Sequence, residues 1–275
     1  PRLGVCQLSS TNSALLKVEG LEKRFGGITA LTDYSVNIRR GELVGLIGPN
    51  GAGKTTVFNL LSGVLKPTSG HIYFNNKDIT RLRPDQSTAL GIARTFQNIR
   101  LFKELSVLDN IKVAFHMHLG RGFWKTLLHT SAYRQAEIEM RQRSHEMMAL
   151  FGLVSVKDIA ANNLPYGIQR RVEIARAMAT SPKLLLLDEP SAGLNPSETE
   201  ELVKILQDLH RKNDLTIFLV EHDMKLIMAV CQKIQVIDRG CMLTMGAPDD
   251  VRHDRRVIEA YLGKSGRGNL NAQDR

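Results

Sequence analysis

The segment Gly48–Thr56 has the residue types and the spacing of a phosphate-binding loop. Its sequence, GPNGAGKTT, matches G-x-x-x-x-G-K-[ST] at every defined position and directly follows the apolar run Leu43–Ile47. Glycines let the backbone wrap around an anion, so that several N–H groups and a helix N-terminus point at it. Lys54 is expected to reach the β- and γ-phosphates of a nucleotide, and the Thr55 hydroxyl to bind Mg²⁺. All residues of the loop are candidates for nucleotide binding: Gly48, Pro49, Asn50, Gly51, Ala52, Gly53, Lys54, Thr55 and Thr56.

A second candidate site is a pair of carboxylates, Asp188 and Glu189, that ends the aliphatic run Leu184–Leu187. Such a run is typical of a buried strand whose carboxyl end emerges at the ligand edge of an α/β sheet. Asp188 suits a direct or indirect hold on Mg²⁺. Glu189 suits a catalytic base that orients and deprotonates a water, a role worth roughly 10²–10⁴-fold in rate. Alone, the run could equally be a core strand with a solvated end; beside a phosphate loop, the catalytic interpretation is favoured.

Short apolar strands that alternate with helices predict a largely parallel α/β sheet to hold these residues. A helix is predicted after Asn195, with that residue as its N-cap, Pro196 at its first position and Glu198 at its third. From about Gln86 to Thr180 the apolar period becomes helical, which predicts a mostly helical insertion. The strand-like runs are Leu16–Val18, Tyr34–Ile38, Leu43–Ile47, His71–Phe74, Leu184–Leu187, Leu215–Val220 and Ile234–Asp238.

Four smaller motifs stand in order around the two sites: RTFQ ending at Gln97, LPYGIQRR at 164–171, SAGLN at 191–195 and EHD at 221–223. With these motifs the chain resembles the nucleotide-binding subunits of ABC transporters. It is most similar to the ATP-binding component of branched-chain amino acid importers. The resemblance extends from about Leu15 to Leu262.

The resemblance implies a role for each motif. Gln97 would belong to a loop that senses Mg²⁺, takes part in catalysis and contacts the transport subunit. His222 would be a catalytic switch residue near the γ-phosphate, and residues 191–195 would cross a dimer interface. Phe25 would stack on adenine. Without the resemblance, Phe25 would be interpreted as a core aromatic and His222 as a strand-end histidine.

Residues 164–169 correspond to the family's signature motif, of which Leu164, Gly167 and Gln169 are expected to bind nucleotide. In the family, this helix N-terminus faces the γ-phosphate held by a second subunit, so that ATP joins two subunits. The segment departs from the general pattern L-S-G-G-Q at three positions, Pro165, Tyr166 and Ile168. Proline removes one hydroxyl and one backbone donor. Gly167 and the helix end therefore remain as the expected anion site, and the composite site is predicted to be weaker than usual.

The implied fold is an α/β P-loop NTPase (ABC ATPase) core with an antiparallel β subdomain and an inserted helical subdomain. The expected ATPase domain spans 15–262, with the helical subdomain at about 98–180, an N-terminal extension at 1–14 and a flexible tail at 263–275. The implied cofactors are ATP and Mg²⁺. The implied partners are transmembrane permease subunits and a second ATP-binding subunit, of the same or a sister sequence. The expected location is peripheral, on the cytoplasmic face of the inner (plasma) membrane.

Composition narrows the classes of function. Of the 275 residues, 43% are hydrophobic and 24% charged, which excludes wholesale disorder. No apolar run approaches the ~18–20 residues of a spanning helix. Three cysteines without CxxC spacing argue against a disulfide framework or a zinc site. The net charge of +9 is spread along the chain, which favours a generally basic or membrane-apposed surface over a nucleic-acid groove.

Three alternatives stay open at this stage. A non-transport ABC ATPase acting on ribosomes or nucleic acid would usually carry two cassettes or a long coiled coil. A phosphate-loop kinase would not explain the motifs at 164–169 and 221–223. The equivalent subunit of a urea or amide importer would share every motif. The segment Gly120–Ser131, with Trp124, is expected to be a surface loop or a contact with the membrane subunit or anionic headgroups.

Overall fold

The computed structural model describes residues 14–119, 131–213 and 215–262. The strands in these ranges are β1 (Ala14–Phe25), β2 (Ile28–Arg39), β3 (Leu43–Ile47), β4 (Ser69–Phe74), β5 (Lys77–Asp78), β6 (Ile92–Arg94), β7 (Leu184–Asp188), β8 (Thr216–Val220), β9 (Lys233–Asp238) and β10 (Cys241–Gly246). The helices are α1 (Lys54–Leu61), α2 (Pro84–Ala89), α3 (Val107–Leu119), α4 (Ser131–Leu150), α5 (Tyr166–Ala179), α6 (Pro196–Asn213), α7 (Met224–Val230), α8 (Pro248–His253) and α9 (Arg255–Leu262).

The strands form two sheets. The antiparallel sheet has the order β2-β1-β4-β5, and the larger sheet has the order β10-β9-β3-β8-β7-β6. The larger sheet is parallel except at β10, which runs antiparallel to β9. The predicted α/β fold with an antiparallel β subdomain is therefore confirmed.

One part of the helical prediction for residues 86–180 is wrong. Ile92–Arg94 form β6, which pairs in parallel with β7 at the edge of the larger sheet. Three residues are too few to display an alternating pattern, and only the neighbouring strand provides their hydrogen-bond partners. The helices α3, α4 and α5 follow this strand.

The larger sheet is buried on both faces. Leu185 and Leu187 of β7 pack into a core with α3, α5 and α6, whereas Leu184 and Leu186 pack into a second core with α1 and the antiparallel sheet. A strand that is covered on both sides needs apolar residues at every position. This explains the apolar runs 43–47, 184–187 and 217–220 in β3, β7 and β8, in which every residue is buried.

The predicted start of α6 is confirmed. Asn195 Oδ1 accepts from Glu198 N at 3.0 Å, and Asn195 N donates to Glu198 Oε2 at 2.9 Å. This reciprocal pair satisfies backbone donors that the first helical turn leaves free.

Some sequence expectations lie outside the described residues: the N-terminal extension except Ala14, the tail at 263–275, and the segment Gly120–Ser131 except Ser131. In the part of the chain that the structure describes, none of the helices combines the length and the apolarity needed to span a bilayer.

A buried hydrogen bond joins the two sheets. The Tyr34 hydroxyl of β2 donates to Gln235 Oε1 of β9 at 2.5 Å, and Gln235 Nε2 donates to the Ser35 carbonyl at 3.1 Å. Tyr34 and Gln235 are fully buried. Burial raises the pKa of Tyr34 far above its ordinary value, so its hydroxyl stays a donor across the range in which proteins fold.

We expect Tyr34→Phe to lower the free energy of unfolding by about 1–3 kcal/mol, because Gln235 Oε1 loses its donor in a buried site. Urea unfolding monitored by circular dichroism measures this change. Tyr73→Phe, at a partly exposed position in β4, is the matched control and should change stability by less than about 0.5 kcal/mol. Equal losses in both variants would contradict the role of this bond.

Candidate functional site

The loop between β3 and α1 is shaped by glycines that its surroundings require. A Cβ at Gly48 would lie 2.1 Å from the Ile237 carbonyl oxygen, and one at Gly53 would lie 2.8 Å from the Ala30 carbonyl oxygen. Gly53 also has φ +106°, a conformation that other residues rarely adopt. The backbone of β9 and β2 therefore holds the loop tightly around the start of α1.

Lys54 is folded back onto this loop. Its buried Nζ donates to the Gly48 carbonyl at 2.6 Å and to the Pro49 carbonyl at 3.0 Å. Burial lowers the pKa of Lys54, while the negative charges of Glu189 and Asp188 oppose this shift. The two carboxylates thus act electrostatically on the loop lysine, as expected for one shared site. To contact phosphates, the ammonium must exchange its carbonyl acceptors for phosphate oxygens.

Glu189 lies between two of the predicted site residues. Its Oε1 is 2.5 Å from His222 Nε2, and its Oε2 accepts from Gln97 Nε2 at 3.1 Å. The Glu189 side chain is 13% exposed and that of His222 is 45% exposed, so the pair borders solvent. The structure brings Gln97, Glu189 and His222 together from loops after β6, β7 and β8, although they are far apart in sequence.

The backbone of Glu189 is in the left-handed region, with φ +48°. A non-glycine residue there costs of order 1–3 kcal/mol and persists when its surroundings hold it. Glu189 N donates to the Val220 carbonyl at 2.9 Å, which anchors the residue to the neighbouring strand. Because this conformation depends on a contact with a neighbouring strand, no pattern in the sequence predicts it.

Glu221 is a buried residue that holds the neighbouring loops in place, a role that the sequence did not indicate. Its carboxylate accepts from Ser191 N at 2.7 Å and from His222 N at 2.9 Å. Asp223 caps α7 by accepting from Lys225 N at 2.8 Å. The turn that carries His222 is thus fixed on both sides, and it is tied to the loop at 191–195.

Asp188 is paired with Arg94, whose role the sequence analysis also missed. Arg94 Nη2 donates to Asp188 Oδ2 at 2.8 Å, and Nη1 donates to Asn59 Oδ1 and Ser62 Oγ, both at 2.8 Å. Burial lowers the pKa of Arg94, and the contact with Asp188 opposes this. Arg94 therefore links α1, which follows the phosphate loop, to the carboxylate at the end of β7. The only signal in the sequence was an arginine just before Thr95, which does not identify a partner.

The oxygen donors at this sheet edge suit Mg²⁺. They are the exposed Thr55 hydroxyl at the start of α1, the Asp188 carboxylate and the Gln97 amide. Mg²⁺ is usually bound through one or two carboxylates together with substrate phosphates and waters. Within the described ranges, no group of three or more His, Cys, Asp or Glu side chains could hold a metal. The donor set fits an ion that arrives with a nucleotide.

The signature segment begins α5, with Pro165 at the N-cap and no side-chain cap bond. Gly167 is buried, and a Cβ there would lie 2.3 Å from Glu198 Oε1. The expected anion site at Gly167 is therefore covered by a carboxylate in this structure. Leu164 packs into the core, and its carbonyl accepts from Gln169 Nε2 at 2.8 Å, so these two candidates contact each other.

Phe25 lies at the end of β1 with 46% of its surface exposed. Lys23 Nζ is 5.0 Å from the centre of its ring. The interpretation of Phe25 as a core aromatic is wrong, because its antiparallel hairpin projects it beyond both cores. An exposed ring face remains available for stacking.

Comparison with known proteins agrees with this geometry. Residues 31–192 match the ABC transporter family model, and residues 241–266 match the model of the branched-chain amino acid ATP-binding cassette transporter. The branched-chain amino acid transport ATP-binding protein LivG of Salmonella typhimurium is 46% identical over 91% of this chain and 98% of its own. BraF of Pseudomonas aeruginosa, with the same description, is 43% identical over the same shares. The lipopolysaccharide export ATP-binding protein LptB of Acidithiobacillus ferridurans is 32% identical over 91% of this chain and 98% of its own.

Solved structures show the same architecture. A nucleotide-free ATP-binding cassette of an ABC transporter superimposes with a TM-score of 0.79 at 30% identity, covering 91% of this chain and all of that one. A dimeric cassette in a post-hydrolysis state, bound to ADP and Pi, has a TM-score of 0.72 at 27% identity, covering 85% of this chain and 98% of that one. With the phosphate loop, the carboxylate pair and the sheet order in place, this chain belongs to the ABC transporter family as an ATP-binding subunit with ATPase activity.

Proposed function

We propose that this chain powers an importer of branched-chain amino acids, bound to permease subunits at the cytoplasmic face of the plasma membrane. The proposed ATP hydrolysis rests on one observation: Gln97 and His222 hold the Glu189 carboxylate at the edge of the larger sheet that also carries the phosphate loop. The cargo is supported by the likeness to LivG and BraF along nearly the whole chain and by the match at 241–266. The lower identity to LptB favours amino acids over lipopolysaccharide.

Each residue of the site has a distinct role in the proposed hydrolysis of ATP. The loop from Gly48 to Thr56 binds the phosphates, and Phe25 stacks on adenine. Glu189 is the base that takes a proton from the attacking water. His222, which borders solvent, orients the γ-phosphate. Mg²⁺, held by Thr55, Asp188 and Gln97, would neutralise charge on the phosphates.

A second ATP-binding subunit completes the site. Its signature segment would cover the nucleotide held by this chain, and the segment 164–169 of this chain would cover the nucleotide of the partner. A related cassette forms a dimer bound to ADP and Pi, which supports this arrangement. Hydrolysis would then loosen the pair and change the state of the permease.

The permease would dock beside the loop of Gln97. A groove of about 430 Å³ lies there, and its lining includes Phe96, Arg100, Phe102, Val113 and Arg176. Half of the Phe102 surface is exposed. An apolar side chain with cationic neighbours suits an amphipathic cytoplasmic segment of a membrane subunit.

The cargo is tested with the complex of this chain and its co-purified permease subunits, reconstituted in vesicles with ATP. We expect ATP-dependent transport of leucine, isoleucine and valine, and ATPase activity that rises with the permease but not with nucleic acid. Transport of urea or short amides alone would reassign the cargo. Stimulation by RNA or DNA alone would overturn the transport function.

Glu189→Gln keeps the shape and the hydrogen-bonding capacity of the side chain but removes the base. We expect this variant to bind ATP and to dimerise, with turnover reduced at least ~100-fold. Phosphate release and size-exclusion chromatography with ATP measure the two effects. Glu139→Gln, at an exposed position in α4, is the control that should keep its turnover. Undiminished hydrolysis in Glu189→Gln would assign the base elsewhere.

Pro165→Ser tests whether the signature of this chain is weakened. A serine at the N-cap of α5 restores a hydroxyl and a backbone N–H that can donate to a phosphate, and proline has neither. We expect the ATPase rate of the assembled complex to increase. Pro84→Ser, at the first position of α2, is a control that should leave the rate unchanged. An unchanged rate in Pro165→Ser would count against a weakened site.

A further inference from the structure

Arg170 and Glu173 form a buried ion pair on the face of α5 that meets the loop of Gln97. Arg170 is 0% exposed and Glu173 is 2% exposed, and Arg170 Nη1 lies 2.9 Å from Glu173 Oε2. Buried ion pairs seldom stabilise a fold more than apolar residues of the same volume would. Stability alone therefore does not explain this pair.

The pair binds the backbone of the loop that carries Gln97. Arg170 Nη1 donates to the Phe96 carbonyl and Nη2 to the Gln97 carbonyl, both at 2.8 Å. Glu173 Oε1 accepts from Arg100 N at 3.3 Å and from Phe96 N at 3.4 Å. Irregular backbone needs partners for its polar groups, and here one helix supplies four of them. The position of Gln97 thus depends on α5.

The same guanidinium also reaches the signature segment. Arg170 Nη2 donates to the Tyr166 hydroxyl at 2.9 Å. Tyr166 is 43% exposed at the first position of α5, and a Cβ at Gly193 would lie 2.9 Å from its ring. Tyr166 therefore touches both the loop at 191–195 and Arg170. Tyr166 is thus linked through Arg170 to the backbone carbonyl of Gln97, and the side-chain amide of Gln97 donates to Glu189.

Arg170 has hydrogen-bonding capacity left for a second arrangement. Its Nε is buried and makes no hydrogen bond to any of the described residues. A buried donor without an acceptor costs about 1–3 kcal/mol. An arrangement of the loop that gave Arg170 Nε an acceptor would therefore be stabilised by about the same amount.

We infer that Tyr166 and Arg170 are positioning residues: contact of a second subunit's nucleotide with Tyr166 is transmitted through Arg170 to Gln97, which sets Glu189 in the same subunit. The inference rests on the proposed roles of Gln97 and Glu189 and on the proposed second subunit, whose nucleotide the segment 164–169 would cover. It makes hydrolysis at one site depend on occupation of the other. Neither residue would touch the nucleotide whose hydrolysis Glu189 catalyses.

The test is Tyr166→Phe in the complex with the permease, because this change removes only the hydroxyl. We expect an unchanged melting temperature, an unchanged KM for ATP and a kcat reduced roughly tenfold, since misplaced catalytic groups lose rate rather than affinity. Hydrogen exchange at residues 96–100 should become faster. Tyr73→Phe is the matched control and should alter none of these quantities.

A double-mutant cycle distinguishes transmission from a local effect. In a Gln97→Ala background, Tyr166→Phe should cause no further loss of kcat. An additive loss, a raised KM with normal kcat, or unchanged exchange at residues 96–100 would overturn the inference. Glu189→Gln tests the base separately: if that variant is inactive while Tyr166→Phe has no effect, the inference fails and the proposed function stands.

Discussion

Parallel pairing of β3 and β7 with the common neighbour β8 is the constraint on which the rest of the site depends. Parallel strands end at the same edge of a sheet, so the loop after Ile47 and the carboxylates after Leu187 must meet there. The same rule adds His222, which follows β8, and Gln97, which follows β6. Each loop is short and anchored at a strand end, which limits the positions that its functional side chain can adopt.

Beneath this edge, the site is supported by charged groups taken out of water. Arg94 pairs with Asp188, Arg170 pairs with Glu173, and Glu221 accepts three backbone N–H groups. Removing one partner of such a pair is far more costly than replacing both, because a lone buried charge remains. These pairs therefore hold the loops in the arrangement that the structure shows. They contribute more to the accuracy of the site than to the stability of the fold.

The signature segment shows how packing within one subunit competes with binding between subunits. Glu198 caps α6 through Asn195 and also covers Gly167, so one carboxylate serves the helix and occupies the place expected for a phosphate. An anion approaching Gly167 would be repelled while Glu198 stays there. A side chain at position 167 would have to displace the Glu198 carboxylate from this place.

The sequence by itself determined the phosphate loop, the carboxylate pair, the capped start of α6 and the buried strands. Each of these depends on neighbours in the chain: local turn chemistry, reciprocal capping or an unbroken apolar run. Only the tertiary structure decided that Ile92–Arg94 is a strand, that Glu189 adopts φ +48°, and that Arg94 and Arg170 hold Asp188 and the Gln97 loop. These features depend on partners distant in sequence. An arginine in a sequence looks the same whether its guanidinium lies in water or is buried against a carboxylate.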